Sequence, residues 1–139
     1  MKDRSCDRAA SRGAKVGGGR LDPIALASSR QRRAARPEAS VWVSASAGSG
    51  KTKVLTDRVL SLLLAGSRPE RLLCLTFTKA AAAEMENRLV EILARWAVMT
   101  RDELEDRLFD LTGAAPSYEL MERARRLFAQ VLDTPGGMK

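Results

Sequence analysis

The stretch SASAGSGKTKVL, residues 44–55, combines a glycine-rich turn, a lysine, a hydroxyl residue and the first apolar positions of a helix. A short apolar, β-branched run precedes it, so the local order is strand, turn and helix. Residues 45–52 read A-S-A-G-S-G-K-T, which is Walker A spacing with alanine in the first glycine position. This stretch in this context predicts a loop that binds nucleotide phosphates.

Each part of the loop has a chemical role. Gly48 and Gly50 allow the backbone to fold back, so that N–H groups of residues 48–52 face phosphate oxygens. The helix that follows adds the positive end of its dipole. We expect Lys51 to contact the β- and γ-phosphates of ATP and the Thr52 hydroxyl to bind Mg²⁺. The predicted nucleotide-binding residues of the loop are Ala45, Ser46, Ala47, Gly48, Ser49, Gly50, Lys51 and Thr52.

The rest of the chain predicts strands and helices in alternation. SVWVSA at 40–45 and RLLCLTF at 71–77 are short apolar runs typical of parallel strands. Helical patterns cover residues 23–35, 51–65, 78–99, 100–113 and 116–133. This order predicts the opening of an α/β fold with a parallel sheet, and two strands make that sheet incomplete.

Charge and composition narrow the class of protein. The net charge is +7, and residues 1–40 carry most of it, with ten Lys or Arg against four Asp or Glu. Residues 1–21 are predicted to form a disordered basic arm able to bind polyanions. The chain has no histidine, which excludes Ser-His and Cys-His nucleophiles, and its two cysteines form no metal-binding pattern. No apolar run predicts a membrane span or a signal peptide, so we expect a cytoplasmic protein.

A second motif, LTFTKAAAAEM at residues 75–85, follows the second apolar run. Together with the phosphate loop it resembles motifs I and Ia of superfamily 1 DNA helicases of the UvrD/Rep type. The run from Gln31 to Leu93 resembles the AddA-type helicase-nucleases in particular, and the similarity extends over residues 22–139. It implies an incomplete RecA-like P-loop NTPase domain, truncated before Walker B, with a helical insertion at about 100–132.

The resemblance also implies roles for individual residues. Gln31 would recognise adenine, although it could equally be a polar residue on a basic helix. Thr76, Phe77 and Thr78 would contact single-stranded DNA, with the hydroxyls at phosphates and the Phe77 ring against a base. The alternatives are a core aromatic at Phe77 and a helix cap at Thr78. Arg58 is interpreted as a solvated charge or a contact to the DNA backbone.

For the parent protein, the resemblance implies an ATP-dependent DNA helicase that processes double-strand ends for repair and recombination. An AddB-like subunit would be its partner, in the cytoplasm of a bacterium. The apolar runs that end in a carboxylate, RLFD at 107–110 and QVLD at 130–133, lie within helical patterns, so neither predicts a Walker B strand. We therefore expect this chain alone neither to hydrolyse ATP nor to unwind DNA. The alternatives are a non-catalytic nucleic-acid-binding remnant and another P-loop ATPase or nucleotide kinase.

Overall fold

The computed structural model describes residues 23–44, 46, 48 and 50–135. Five α-helices follow one another in this part of the chain: α1 Pro23–Ala35, α2 Lys51–Leu64, α3 Lys79–Val98, α4 Arg101–Thr112 and α5 Tyr118–Leu132, with a 3₁₀ turn at Pro69–Arg71 before α3. The helices predicted from the sequence are confirmed. The predicted basic arm at 1–21 lies outside the described residues.

Local signals in the sequence determine where the helices begin and end. After α2, Gly66 has a φ of 96°, and its N–H donates to the Leu63 carbonyl. The Thr78 hydroxyl accepts the Ala81 N–H at 3.1 Å and so caps α3. Thr100 and Glu103 form the predicted capping box at the start of α4. These signals act over three or four residues, and each produces the expected boundary.

The core lies between helices, with α3 on α5 and α1 on α2 as the most extensive contacts. Its buried side chains are Val59, Leu60, Leu63, Leu64, Leu89, Leu93, Trp96, Leu104, Leu108, Met121, Ala124, Leu127 and Val131. The expectation that Leu55 points inward with the rest of the α2 face is wrong, because it is 43% exposed beside an open groove. Among the described helices, none is both long enough and apolar enough to cross a membrane.

The predicted α/β fold with two parallel strands is wrong. In the part of the chain that the structure describes there is no strand, and residues 40–44 and 72–76 have no regular secondary structure. A parallel strand needs hydrogen-bonded neighbours and cover on both faces. Here Trp42 is 93% exposed and Leu75 is 84% exposed. The helices bury their apolar faces against one another instead, so the described part is an all-helical packing and not a RecA-like sheet domain.

Candidate nucleotide-binding site

The loop before α2 has the backbone geometry that its glycines were expected to provide. Gly48 has a φ of 77° and Gly50 a φ of 87°, both in the left-handed region that residues with a Cβ rarely adopt. Gly50 is the N-cap of α2, and no side chain caps the helix there. The first turn of α2 contains no acidic residue, so nothing in it offsets the positive end of the helix dipole. This end of α2 is therefore suited to an anion.

Lys51 and Thr52 stand at the first two positions of α2, and both are exposed. Lys51 Nζ donates to the Ser46 carbonyl at 2.9 Å, so the ammonium group reaches back across the loop. The carbonyl of Thr52 accepts the Thr56 hydroxyl, a contact inside the helix that leaves the Thr52 side chain at the surface. A cation and a hydroxyl thus stand beside the uncapped helix end. The predicted site residues that lie outside the described residues are Ala45, Ala47 and Ser49.

Gln31, on α1, lies against the start of α2. A Cβ atom built on Gly50 would stand 3.2 Å from the side-chain nitrogen of Gln31. The structure therefore brings a half-buried amide, distant in sequence, to the edge of the phosphate loop. An amide group both donates and accepts hydrogen bonds, which suits it to the edge of a base.

The second motif forms the opposite wall of an adjoining groove of about 320 Å³. Thr52 and Thr76 both line this groove, so the structure brings the two motifs to one place. Phe77 has a relative exposure of 107%, so the alternative interpretation of Phe77 as a core aromatic is wrong. The Thr78 hydroxyl accepts the Ala81 N–H, as the capping alternative predicted, and its own hydrogen can still be donated.

The same groove contains Cys74, and desolvation there raises the pKa of its thiol. The thiol is therefore protonated at neutral pH and is a poor metal ligand. Within the described ranges, no group of three or more His, Cys, Asp or Glu side chains could hold a metal ion. Mg²⁺ commonly binds through one or two protein ligands together with waters and substrate phosphates. Thr52 fits that mode, with the nucleotide supplying the phosphate oxygens.

Two arginines have structural contacts that the sequence did not indicate. Arg58 donates to the carbonyls of Ala34, Arg36 and Ala39, so it is neither a solvated charge nor a free DNA contact. Arg123, on α5, donates to the carbonyl of Leu64 at the end of α2. Both contacts join residues at least 19 positions apart, so no local periodicity could have revealed them.

The comparison with known families agrees with this geometry. Residues 27–125 match the family model described as the UvrD/REP helicase N-terminal domain. The chain belongs to the UvrD/REP helicase family. The matched range includes Gln31, the phosphate loop and the second motif, so these site residues all lie within the family domain.

Relatives of this UvrD/REP family member include two proteins that are each named as the A-type subunit of an ATP-dependent helicase/nuclease. That of Lactobacillus helveticus (strain DPC 4571) is 56% identical over 55 residues, which are 40% of this chain and 5% of the relative. That of Oenococcus oeni (strain ATCC BAA-331 / PSU-1) is 44% identical over 85 residues, 57% of this chain and 7% of the relative. The chain thus spans a small part of the length of these relatives. No solved structure matches it.

Proposed function

We propose that this chain binds ATP with Mg²⁺ at the start of α2. The observation that carries the proposal is the position of the Gln31 amide beside Gly50, next to an uncapped helix N-terminus. A group suited to a base and a group suited to phosphates stand side by side there. Either feature alone occurs in many proteins, whereas their adjacency within a UvrD/REP domain favours an adenine nucleotide.

The residues of the site divide the work of binding. The N-terminus of α2 and the Lys51 ammonium favour the negative charge of the phosphates, and the exposed Thr52 hydroxyl would bind Mg²⁺. The Lys51 contact with the Ser46 carbonyl is directed along the loop, so a bound phosphate would replace a neutral acceptor with a charged one. Hydrogen bonds to charged groups contribute about 1.5–3 kcal/mol, compared with about 1 kcal/mol for neutral ones.

We further propose that the chain is the N-terminal part of an AddA-type ATP-dependent helicase-nuclease. Residues 22–139 would form the first part of its ATP-binding domain, with the helices at about 100–132 as an insertion. The whole protein would act at DNA ends, together with an AddB-like partner, in double-strand break repair and recombination in the bacterial cytoplasm. The family match and the helicase/nuclease names of the relatives support this assignment.

By itself, the chain is proposed to bind ATP without hydrolysing it. Hydrolysis by a P-loop protein requires a second Mg²⁺-binding carboxylate and a group that positions the attacking water. Neither RLFD at 107–110 nor QVLD at 130–133 ends a strand, since the first lies in α4 and the second reaches the end of α5. Release of phosphate or unwinding of a duplex by the purified chain would contradict this part of the proposal.

Titration with a fluorescent ATP analogue tests the binding proposal. Changing Lys51→Ala should weaken binding by about tenfold or more, the effect of losing a charged contact. Lys53→Ala is the matched control, because Lys53 is on the same turn but pairs with Asp57. Binding should also weaken without Mg²⁺, and Thr52→Val should reduce that Mg²⁺ dependence. Equal affinity of the Lys51→Ala and Lys53→Ala chains would disprove the proposed site.

Single-stranded DNA is the second proposed ligand, at Thr76, Phe77 and Thr78. The fully exposed Phe77 ring favours it, because stacking on a base needs an accessible aromatic face and contributes about 1–3 kcal/mol per base. Phe77→Ala should therefore weaken binding of a labelled single strand, as measured by fluorescence anisotropy. Tyr118→Ala is the control, since Tyr118 is 65% exposed at the start of α5. Similar losses in both variants would count against a specific contact.

A further inference from the structure

Arg58 joins three separate backbone positions. One of its terminal nitrogens donates to the carbonyls of Ala34 at 3.2 Å and Arg36 at 2.6 Å, and the other donates to the carbonyl of Ala39 at 2.6 Å. A guanidinium group presents its donors in a rigid plane, so a single side chain can hold several acceptors in a fixed arrangement. Arg58 thereby fastens the segment from residue 34 to residue 39 to the middle of α2.

This segment connects the two halves of the candidate site. Ala34 is in the last turn of α1, one helical turn after Gln31, and neighbouring Ala35 is buried at 2% exposure. Arg58 is itself on α2, two turns after Gly50. The contact between Gln31 and Gly50 and the contacts of Arg58 are therefore two points at which α1 is held against α2, the first at the site and the second behind it.

We propose that Arg58 is a positioning residue, which holds the Gln31 amide in register with the phosphate loop and so makes binding depend on the adenine base. The proposal rests on the proposed function and extends it to selectivity. The phosphate-binding groups belong to α2 and its preceding loop, whereas the base-binding group belongs to α1. Loosening α1 should therefore weaken recognition of the base and spare recognition of the phosphates.

Comparing two ligands separates these effects. Binding of ATP and of inorganic tripolyphosphate, each with Mg²⁺, is measured by calorimetry for the full chain and for Arg58→Lys. The lysine keeps the charge but offers one ammonium group in place of a fork. We expect ATP affinity to fall by about tenfold while tripolyphosphate affinity changes by less than about twofold. Arg126→Lys is the matched control, because Arg126 contacts only its own helix, at the Glu122 carbonyl.

A double variant tests whether Arg58 acts through Gln31. Gln31→Ala should lower the preference for ATP over tripolyphosphate, and adding Arg58→Lys to it should lower that preference no further. Additive losses, or equal losses of both ligands in Arg58→Lys, would overturn the inference and leave the proposed function standing. If the unsubstituted chain bound neither ligand, the proposed function itself would fail, and the inference with it. Far-ultraviolet circular dichroism of each variant shows whether the helices are retained.

Discussion

The side-chain nitrogen of Gln31 occupies the space in which a side chain at Gly50 would begin, since a Cβ atom there would be 3.2 Å away. The same construction at Gly48 meets nothing within 4 Å. Both glycines have a positive φ, of 87° and 77°, so both exclude a Cβ on backbone grounds alone. The two positions therefore differ mainly in the presence of Gln31.

This difference yields a prediction for the pair Gly50→Ala and Gly48→Ala. Each should lower the free energy of unfolding by about 1–2 kcal/mol, because the left-handed conformation is unfavourable for alanine. Only Gly50→Ala should also displace Gln31 and lower the preference for ATP over tripolyphosphate. Calorimetric titration of both variants checks this prediction. An unchanged preference in Gly50→Ala would show that the contact with Gln31 has no part in binding.

Burial in the helical core predicts a large effect at Leu93. This side chain, on α3, has a relative exposure of 0%, whereas Val98 on the same helix is 84% exposed. Leu93→Ala should lower the free energy of unfolding by about 2–5 kcal/mol, through lost burial and the cavity that remains. Val98→Ala should change it by less than about 0.5 kcal/mol. Urea denaturation followed by circular dichroism measures both, and similar midpoints would contradict the described packing.

The sequence predicts the helices well because their signals are local. The capping box of Thr100 and Glu103 and the left-handed Gly66 each involve residues within one turn, and each is found where it was expected. The phosphate loop is local in the same sense, since Gly48, Gly50 and Lys51 follow one another closely. The conformations of the two glycines could therefore be foreseen from spacing alone.

The strands failed because pairing is not a local property. The runs at 40–44 and 72–76 have the composition of strands, but composition supplies no partner for their backbone groups. The contacts around α1 were missed for a similar reason. Arg58 binds carbonyls 19 to 24 residues earlier in the chain, and the position of Gln31 beside Gly50 depends on how α1 packs on α2. These relationships exist only once the helices are assembled.

Tryptophan fluorescence tests the correction of the fold. The chain has two tryptophans: Trp42 is 93% exposed and Trp96, in the core, is 4% exposed. The variant Trp96→Phe, which retains Trp42, should emit at long wavelength and be quenched readily by iodide. The variant Trp42→Phe should emit at shorter wavelength and be protected from iodide until it unfolds. Protection of Trp42 in the folded chain would mean that residues 40–44 are covered, contrary to the structure.

The capping box makes part of the stability depend on pH. A carboxylate oxygen of Glu103 accepts the Thr100 N–H at 3.0 Å and the Thr100 hydroxyl at 2.9 Å. The backbone hydrogen bond, followed by that of the hydroxyl, lowers the pKa of Glu103 from its ordinary value of 4.5. A group with a lowered pKa in the folded state stabilises the fold above its unfolded pKa. That contribution is lost as the pH falls through the lowered value.

The variant Glu103→Gln should therefore be less stable than the unsubstituted chain near neutral pH, and the difference should disappear in acid. Glutamine can still accept the Thr100 N–H, but it carries no charge to interact with the positive end of α4 and does not titrate. Thermal unfolding midpoints at about pH 7 and about pH 2 measure the two differences. Glu105→Gln, on the same helix but outside the capping box, is the control. A stability gap between Glu103→Gln and the unsubstituted chain that stayed constant from neutral pH to acid would show that ionisation of Glu103 does not strengthen the cap.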